Sequence, residues 1–239
     1  IKPYSYFVYG ETTDLFVIDP YEIIFYHNPP EKNAYYVSLA KKASEPRLLW
    51  TVPEAFTYRG TRFPTPEEER IIVYSEIGEG SKGIWYYGYG KNWGYQESPP
   101  LEAEIGKINK ELQQLKNYLL ISEPFPLAKA EIEKITLYSL LCGDKGIVLI
   151  LVNNDHQSSF EKASPVGSTA EGKEPFTYTP KENFKVKLNI PDWLKVKEVK
   201  EIRDIGERRL MCEKETNSLI IPIDRLDITK QFLILTERK

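Results

Sequence analysis

Histidine is almost missing from this chain, and so are cysteine and methionine: there are two, two and one of them in 239 residues. His27 and His156 have no partner at a useful spacing, so neither a histidine-based zinc site nor a Ser-His-Asp triad is expected. Cys142 and Cys212 lie far apart and outside any metal-ligand spacing, which reads as two free thiols, with a single disulfide as the alternative. No apolar stretch approaches the roughly 20 residues of a membrane-spanning helix, and no membrane partner is expected. Residues 147–152, Ile-Val-Leu-Ile-Leu-Val, are too few for that and suit a buried strand. A basic excess is absent too, since the net charge is -3, so no nucleic acid is expected. Gly78-Glu79-Gly80 and Gly88-Tyr89-Gly90 lack the Lys-Ser/Thr that a phosphate loop needs. Asp224 and Asp227 read as a solvated turn, so neither a cofactor nor a metal is expected. The only methionine is Met211 and the chain starts at Ile1, close to a predicted strand, so a further upstream segment is expected. Few Met, Cys and His beside abundant Glu, Lys, Ile and Tyr suit a thermophilic source. Nothing in the sequence fixes a cellular location.

What is present has two textures. From residue 1 to about 121, strand and helix patterns alternate. Strands are predicted at 4–9, 15–18, 47–52 and 84–89, and helices at 34–43, 66–77 and 101–120. Leu101, Ile105, Ile108, Leu112, Leu115 and Leu119 repeat at three- and four-residue steps, an amphipathic helical period. Alternation of this kind predicts a parallel sheet with crossover helices. Four strand units are half of an eightfold barrel, which takes about 250 residues. After Pro124 the pattern changes to short strands with turns between, such as Gly143-Asp144-Lys145-Gly146, and predicts an antiparallel β-sandwich. The expected class is therefore α/β plus all-β: a partial, half TIM-type (β/α) barrel over residues 1–123, then a β-sandwich over 124–239. Residues 155–182 are polar and read as a long mobile loop.

Carboxylates fall where the predicted strands of the first part end: Glu11, Asp19 and Glu54. Parallel strands would put all three on one rim, and cleavage of a glycosidic bond takes two carboxyl groups. Aromatic residues crowd the same positions, among them Tyr21, Trp50, Trp85, Tyr87 and Trp93. Sugar rings stack their apolar faces on such side chains, so the expected partner is an oligosaccharide or polysaccharide.

Three segments carry a family resemblance: Leu49-Trp50-Thr51-Val52-Pro53-Glu54-Ala55-Phe56; Arg62-Phe63-Pro64-Thr65-Pro66-Glu67-Glu68-Glu69-Arg70; and Gly80-Ser81-Lys82-Gly83-Ile84-Trp85-Tyr86-Tyr87. Together they resemble the last part of clan A-like glycoside hydrolase barrels, firmly over 47–89 and loosely over the whole chain. The resemblance implies that the four strands are the fifth to eighth of a barrel with a C-terminal β-sandwich. It implies Glu54 as the nucleophile of a retaining hydrolase, with the acid/base upstream of Ile1 in the missing N-terminal half of the barrel. Glu11, Asp19, Tyr21, Trp50, Trp85, Tyr87 and Trp93 would then hold substrate. Two other readings stay open: a non-catalytic carbohydrate-binding or scaffold module built on a degenerate barrel, and a small open α/β sheet with no sugar role.

Overall fold

A computed structural model describes residues 3–59, 61–157 and 174–239. Most of the expected 155–182 loop, residues 158–173, lies outside the described residues. The chain divides into two compact units, one of residues 1–106 with 157–177, the other of 107–156 with 178–239. The division falls inside a single long helix.

The first unit is built on a three-stranded parallel sheet, β1 (Leu15–Ile18), β2 (Leu48–Thr51) and β3 (Gly83–Ile84), in that spatial order. Between β1 and β2 lie α2 (Glu22–Tyr26) and α3 (Lys32–Ser44). Helix α4 (Pro66–Gly78) connects β2 to β3, and α5 (Pro99–Leu119) follows. The register sets Ile18 beside Thr51 and Thr51 beside Ile84. Alternation sends Phe16, Ile18 and Leu49 to one face, where they pack with Val37, Ala40 and Ala43 of α3. Val17, Leu48 and Trp50 occupy the opposite face and are exposed.

The predicted first strand is a helix. Residues 4–9 fold as a 3-10 turn followed by α1 (Tyr6–Tyr9). Tyr6 alone of that helix is buried, edge-on against Phe16 at 5.7 Å, while Phe7, Val8 and Tyr9 stay exposed. Docking of one ring outweighs the β-propensity of the run, because no neighbouring strand rewards an extended form. The sheet therefore has three strands where four were expected. The strand expected over 84–89 is also shorter: it stops at Ile84, and beyond it only an isolated bridge joins Tyr87 to Glu54.

Helix α4 starts as its sequence predicts. Thr65 accepts from the Glu68 N–H at 3.2 Å, and Glu68 accepts from the Thr65 N–H at 2.8 Å, a reciprocal cap. Pro66 supplies a preset φ, and Glu67, Glu68 and Glu69 sit where the helix dipole favours negative charge. Arg62 grips Glu68 through two 2.7 Å bonds. Nearly every residue from Glu68 to Gly78 is buried, so α4 shows no wet face.

The second unit is antiparallel. Its strands are β4 (Glu123–Pro124), β5 (Ala128–Ala130), β6 (Ile135–Leu141) and β7 (Gly146–Asn153). After the short ladder of β8 (His156–Gln157) with β9 (Thr177–Tyr178) come β10 (Lys181–Asn189), β11 (Leu194–Arg203), β12 (Gly206–Leu210), β13 (Glu213–Lys214), β14 (Ser218–Leu226) and β15 (Thr229–Arg238). A four-stranded sheet runs β13-β14-β10-β5 and a six-stranded sheet runs β12-β11-β15-β7-β6-β4. Both contribute to one core: Val186, Leu188, Leu219 and Ile221 from the first, Ile147, Leu149, Leu151, Phe232 and Ile234 from the second. The apolar run at 147–152 is the wholly buried β7, and the alternating run after Phe184 is β10 with its lysines outward. Cys142 and Cys212 are not joined in a disulfide. Among the described residues no helix is long and apolar enough to cross a membrane.

Removing the α4 cap with Thr65→Ala is expected to cost about 1 kcal/mol of stability, read from the midpoint of urea unfolding. A Thr65→Ser control is expected to keep most of it.

Candidate functional site

An open cleft of about 690 Å³ lies beyond the C-terminal ends of the three parallel strands. Its walls include Asp19 and Tyr21 after β1, Val52 after β2, and Trp85, Tyr87, Tyr89 and Trp93 after β3. The sheet explains the arrangement. The Val52 N–H donates to Ile18 O, and the Trp85 N–H donates to Thr51 O, so the ladder continues one step past the strands. Alternation then sets Asp19, Val52 and Trp85 side by side on the same face as Val17. Trp85 and Tyr89 are 65% and 72% exposed, an unusual outlay for such large rings.

Behind this rim the rings lock together. Phe56 is buried and meets Tyr21 and Tyr87 edge-on, each at 5.1 Å. Tyr87 in turn lies 5.6 Å from Trp93. Two glycines let Trp93 in: a Cβ on Gly88 or Gly90 would come within 2.0 or 2.4 Å of its indole. Gly88 to Tyr95 therefore shapes one wall, a role the sequence marks only by its spaced glycines and aromatics.

Glu54 is bonded to backbone and does not line the cleft. Its side chain is wholly buried, and the cleft wall does not include it. Oε1 accepts from the Ile23 N–H at 2.8 Å and Oε2 from the Ile24 N–H at 3.0 Å. Its neighbours tie the third strand: the Ala55 N–H donates to Tyr87 O, and the Tyr87 N–H to Pro53 O. One residue thus holds the tails of β1, β2 and β3 together. Asn33 adds a second tie, donating to Pro20 O at 2.9 Å and to Glu76 at 3.3 Å. Nothing in the spacing of the sequence distinguishes a carboxylate aimed at a cleft from one aimed at backbone N–H groups.

Of the other expected site residues, Asp19, Tyr21, Trp85, Tyr87 and Trp93 come together at the cleft. Trp50 does not. It stands lower on the open face, over Gly83, where any Cβ would meet its indole at 2.6 Å. Glu11 does not either, because the strand expected before it is a helix. It lies in a 3-10 turn ahead of β1, next to Gly10, whose α-carbon abuts the end of α3 at Ala43, so it belongs to the opposite end of the sheet. Among the described residues no cluster of His, Cys, Asp and Glu could hold a metal ion.

The acids behind the rim are protonated more readily than usual. Burial pushes Glu54 from 4.5 up to about 8, against the pull of the Ile24 and Ile23 N–H groups. Burial likewise raises Glu76 to about 8, opposed by bonds from Thr51 and Asn33. Glu69 is raised well above the carboxylate range by burial and then by the nearby Glu76. Among the described residues neither oxygen of Glu69 has a hydrogen-bond partner, which fits a raised pKa.

No protein-family model matches the chain, and no curated protein matches it in sequence. Among solved structures it is similar to α-L-fucosidase isoenzyme 2 from Paenibacillus thiaminolyticus, at 11% identity over 60% of this chain and 19% of that one, with a TM-score of 0.34. It is also similar to a Paenibacillus cycloisomaltooligosaccharide glucanotransferase solved with cycloisomaltoheptaose, at 8% identity over 72% of this chain and 27% of that one, TM-score 0.49. A third likeness is to a glycoside hydrolase family 30 subfamily 8 xylanase from Clostridium acetobutylicum, at 9% identity over 82% of this chain and 44% of that one, TM-score 0.42. The chain spans less than half the length of each of these proteins. At such scores these are partial likenesses to carbohydrate-active enzymes, and the chemistry has to come from the cleft.

The raised acids set a pH dependence. A carboxyl whose folded pKa lies above its unfolded value binds its proton better in the fold. Its stabilising contribution is complete below about 4.5 and is lost as pH rises towards about 8. Stability is expected to fall across that window, by up to about 1.4 kcal/mol per pH unit for each such group. Urea midpoints measured along the pH range check it, and Glu76→Gln is expected to make the decline shallower.

Proposed function

We propose that the chain is a carbohydrate-binding part of a glycoside hydrolase-like barrel, and that the cleft at the ends of β1, β2 and β3 takes a sugar chain. The observation that carries this is the wall of exposed rings, Trp85, Tyr87, Tyr89 and Trp93, facing one carboxylate, Asp19. Flat apolar rings beside a hydrogen-bond acceptor match the apolar face and hydroxyl edge of a pyranose. An apolar peptide or lipid would leave the Asp19 carboxylate without a partner.

The barrel reading draws support from the sheet. Parallel sheets ordinarily have both faces covered, whereas Val17, Leu48 and Trp50 on one face of this sheet are exposed among the described residues. Further β/α units, the expected N-terminal half, would cover it and supply the remaining cleft wall. In this reading the barrel part runs through the unbroken helix α5 to residue 123, and the two antiparallel sheets from 124 onward form a β-sandwich.

Catalysis by this chain alone is not part of the proposal. Hydrolysis needs two carboxyl groups across the bond, and among the described residues the cleft offers Asp19 only. Glu54 is a positioning residue that fixes the rim. Within an intact barrel the acids would come from other units.

The experiment is a titration with short oligosaccharides, followed by tryptophan fluorescence and calorimetry, with reducing ends assayed in parallel. Saturable binding without turnover is expected. Trp85→Ala is expected to weaken it about tenfold, whereas Trp193→Phe, in the other unit, leaves it unchanged. Binding that ignores Trp85→Ala contradicts the assignment of the cleft.

A further inference from the structure

The cleft has an electrostatic sign as well as a shape, and we propose that it ranks sugars by charge: amino sugars, protonated, above neutral sugars, and neutral sugars above uronic acids. This rests on the sugar-cleft reading. Asp19 is exposed at the cleft and makes no ion pair among the described residues. Among the described residues no lysine, arginine or histidine lines the cleft with it. The negative charge is therefore uncompensated where a ligand would meet it.

Geometry puts the ligand between that charge and a ring. Asp19, Val52 and Trp85 occupy consecutive strands in one layer of the open face. Strands are about 4.8 Å apart, so the Asp19 and Trp85 backbones stand about 10 Å from each other with the small Val52 as floor. That gap suits one pyranose ring, with its face on Trp85 and its edge at Asp19. An ammonium on that edge gains twice: from the carboxylate directly, and from the negative faces of Trp85 and Tyr87. A sugar carboxylate loses on both counts and finds no cationic donor. A neutral hydroxyl donates to Asp19 and stands between the two.

The test compares short oligomers of glucosamine, glucose and galacturonic acid by calorimetry at low salt in mildly acidic buffer, using the full chain. Glucosamine oligomers are expected to bind about fivefold more tightly than glucose oligomers, and galacturonate oligomers at least as much more weakly. Asp19→Asn, at an exposed position, is expected to bring glucosamine and glucose within about twofold of each other while glucose binding persists. Added salt is expected to compress the ranking. A ranking that survives Asp19→Asn, or equal binding of all three, overturns the charge selection and leaves the sugar cleft standing. If none of the three binds, the sugar cleft itself falls, and the selection with it.

Discussion

The bond pair on which the cleft depends is donated by the Ile23 and Ile24 N–H groups to the Glu54 carboxyl group. Three parallel strands of two to four residues are too short to fix by themselves the segments that leave them. The tail of β1 must turn at once into Pro20, Tyr21 and α2, and the first N–H groups of any helix lack partners within it. A carboxylate rising from the end of β2 answers two of them. Because the same stretch of backbone also exchanges hydrogen bonds with Tyr87, three tails are joined at one residue. Asp19, Tyr21 and Tyr87 owe their shared cleft to that junction.

Burying so many acids in one small unit has consequences of its own. Glu22, Glu54, Glu68, Glu69 and Glu76 are all at or near zero exposure. Glu68 is matched by Arg62, by the Thr65 N–H and by the Phe176 N–H. Glu54 is matched by backbone, and Glu76 by Asn33. Glu69 has no such answer among the described residues, and burial holds its carboxyl well above the usual range. Neutral acids in the interior couple the fold to pH in the opposite sense from ordinary acid denaturation, since here protonation favours the native state. Asp19, by contrast, faces outward at the cleft and makes no ion pair among the described residues.

Much of this was legible in the residues. The three- and four-residue steps from Leu101 to Leu119 gave α5, the Thr65-Pro66-Glu67-Glu68 sequence gave the start of α4, and the apolar run at 147–152 gave β7, because period and capping are local properties. The gathering of Asp19, Tyr21, Trp85, Tyr87 and Trp93 followed from their places just after parallel strands. What stayed hidden depended on long-range contacts. Residues 4–9 carry β-propensity, yet they fold as a short helix that docks Tyr6 in the core with Phe16, Val37 and Ala40, which takes Glu11 away from the rim. Glu54 does follow the end of β2, but its direction is set by N–H groups 31 and 30 residues away. Trp50 alternates to the open face, but its place over Gly83 is a matter of register with β3.

Amide hydrogen exchange at Ile23 and Ile24, compared between the native chain and Glu54→Gln, measures the junction itself. Both amides are expected to be protected in the native chain. In the variant one of them is expected to lose its protection, because the Gln amide presents its own N–H groups to a donor. The aromatic signals of Tyr21 and Tyr87 are expected to shift with it. Equal protection of both amides in the two proteins, with Tyr21 and Tyr87 unmoved, would contradict the claim that the Glu54 carboxylate holds the cleft together.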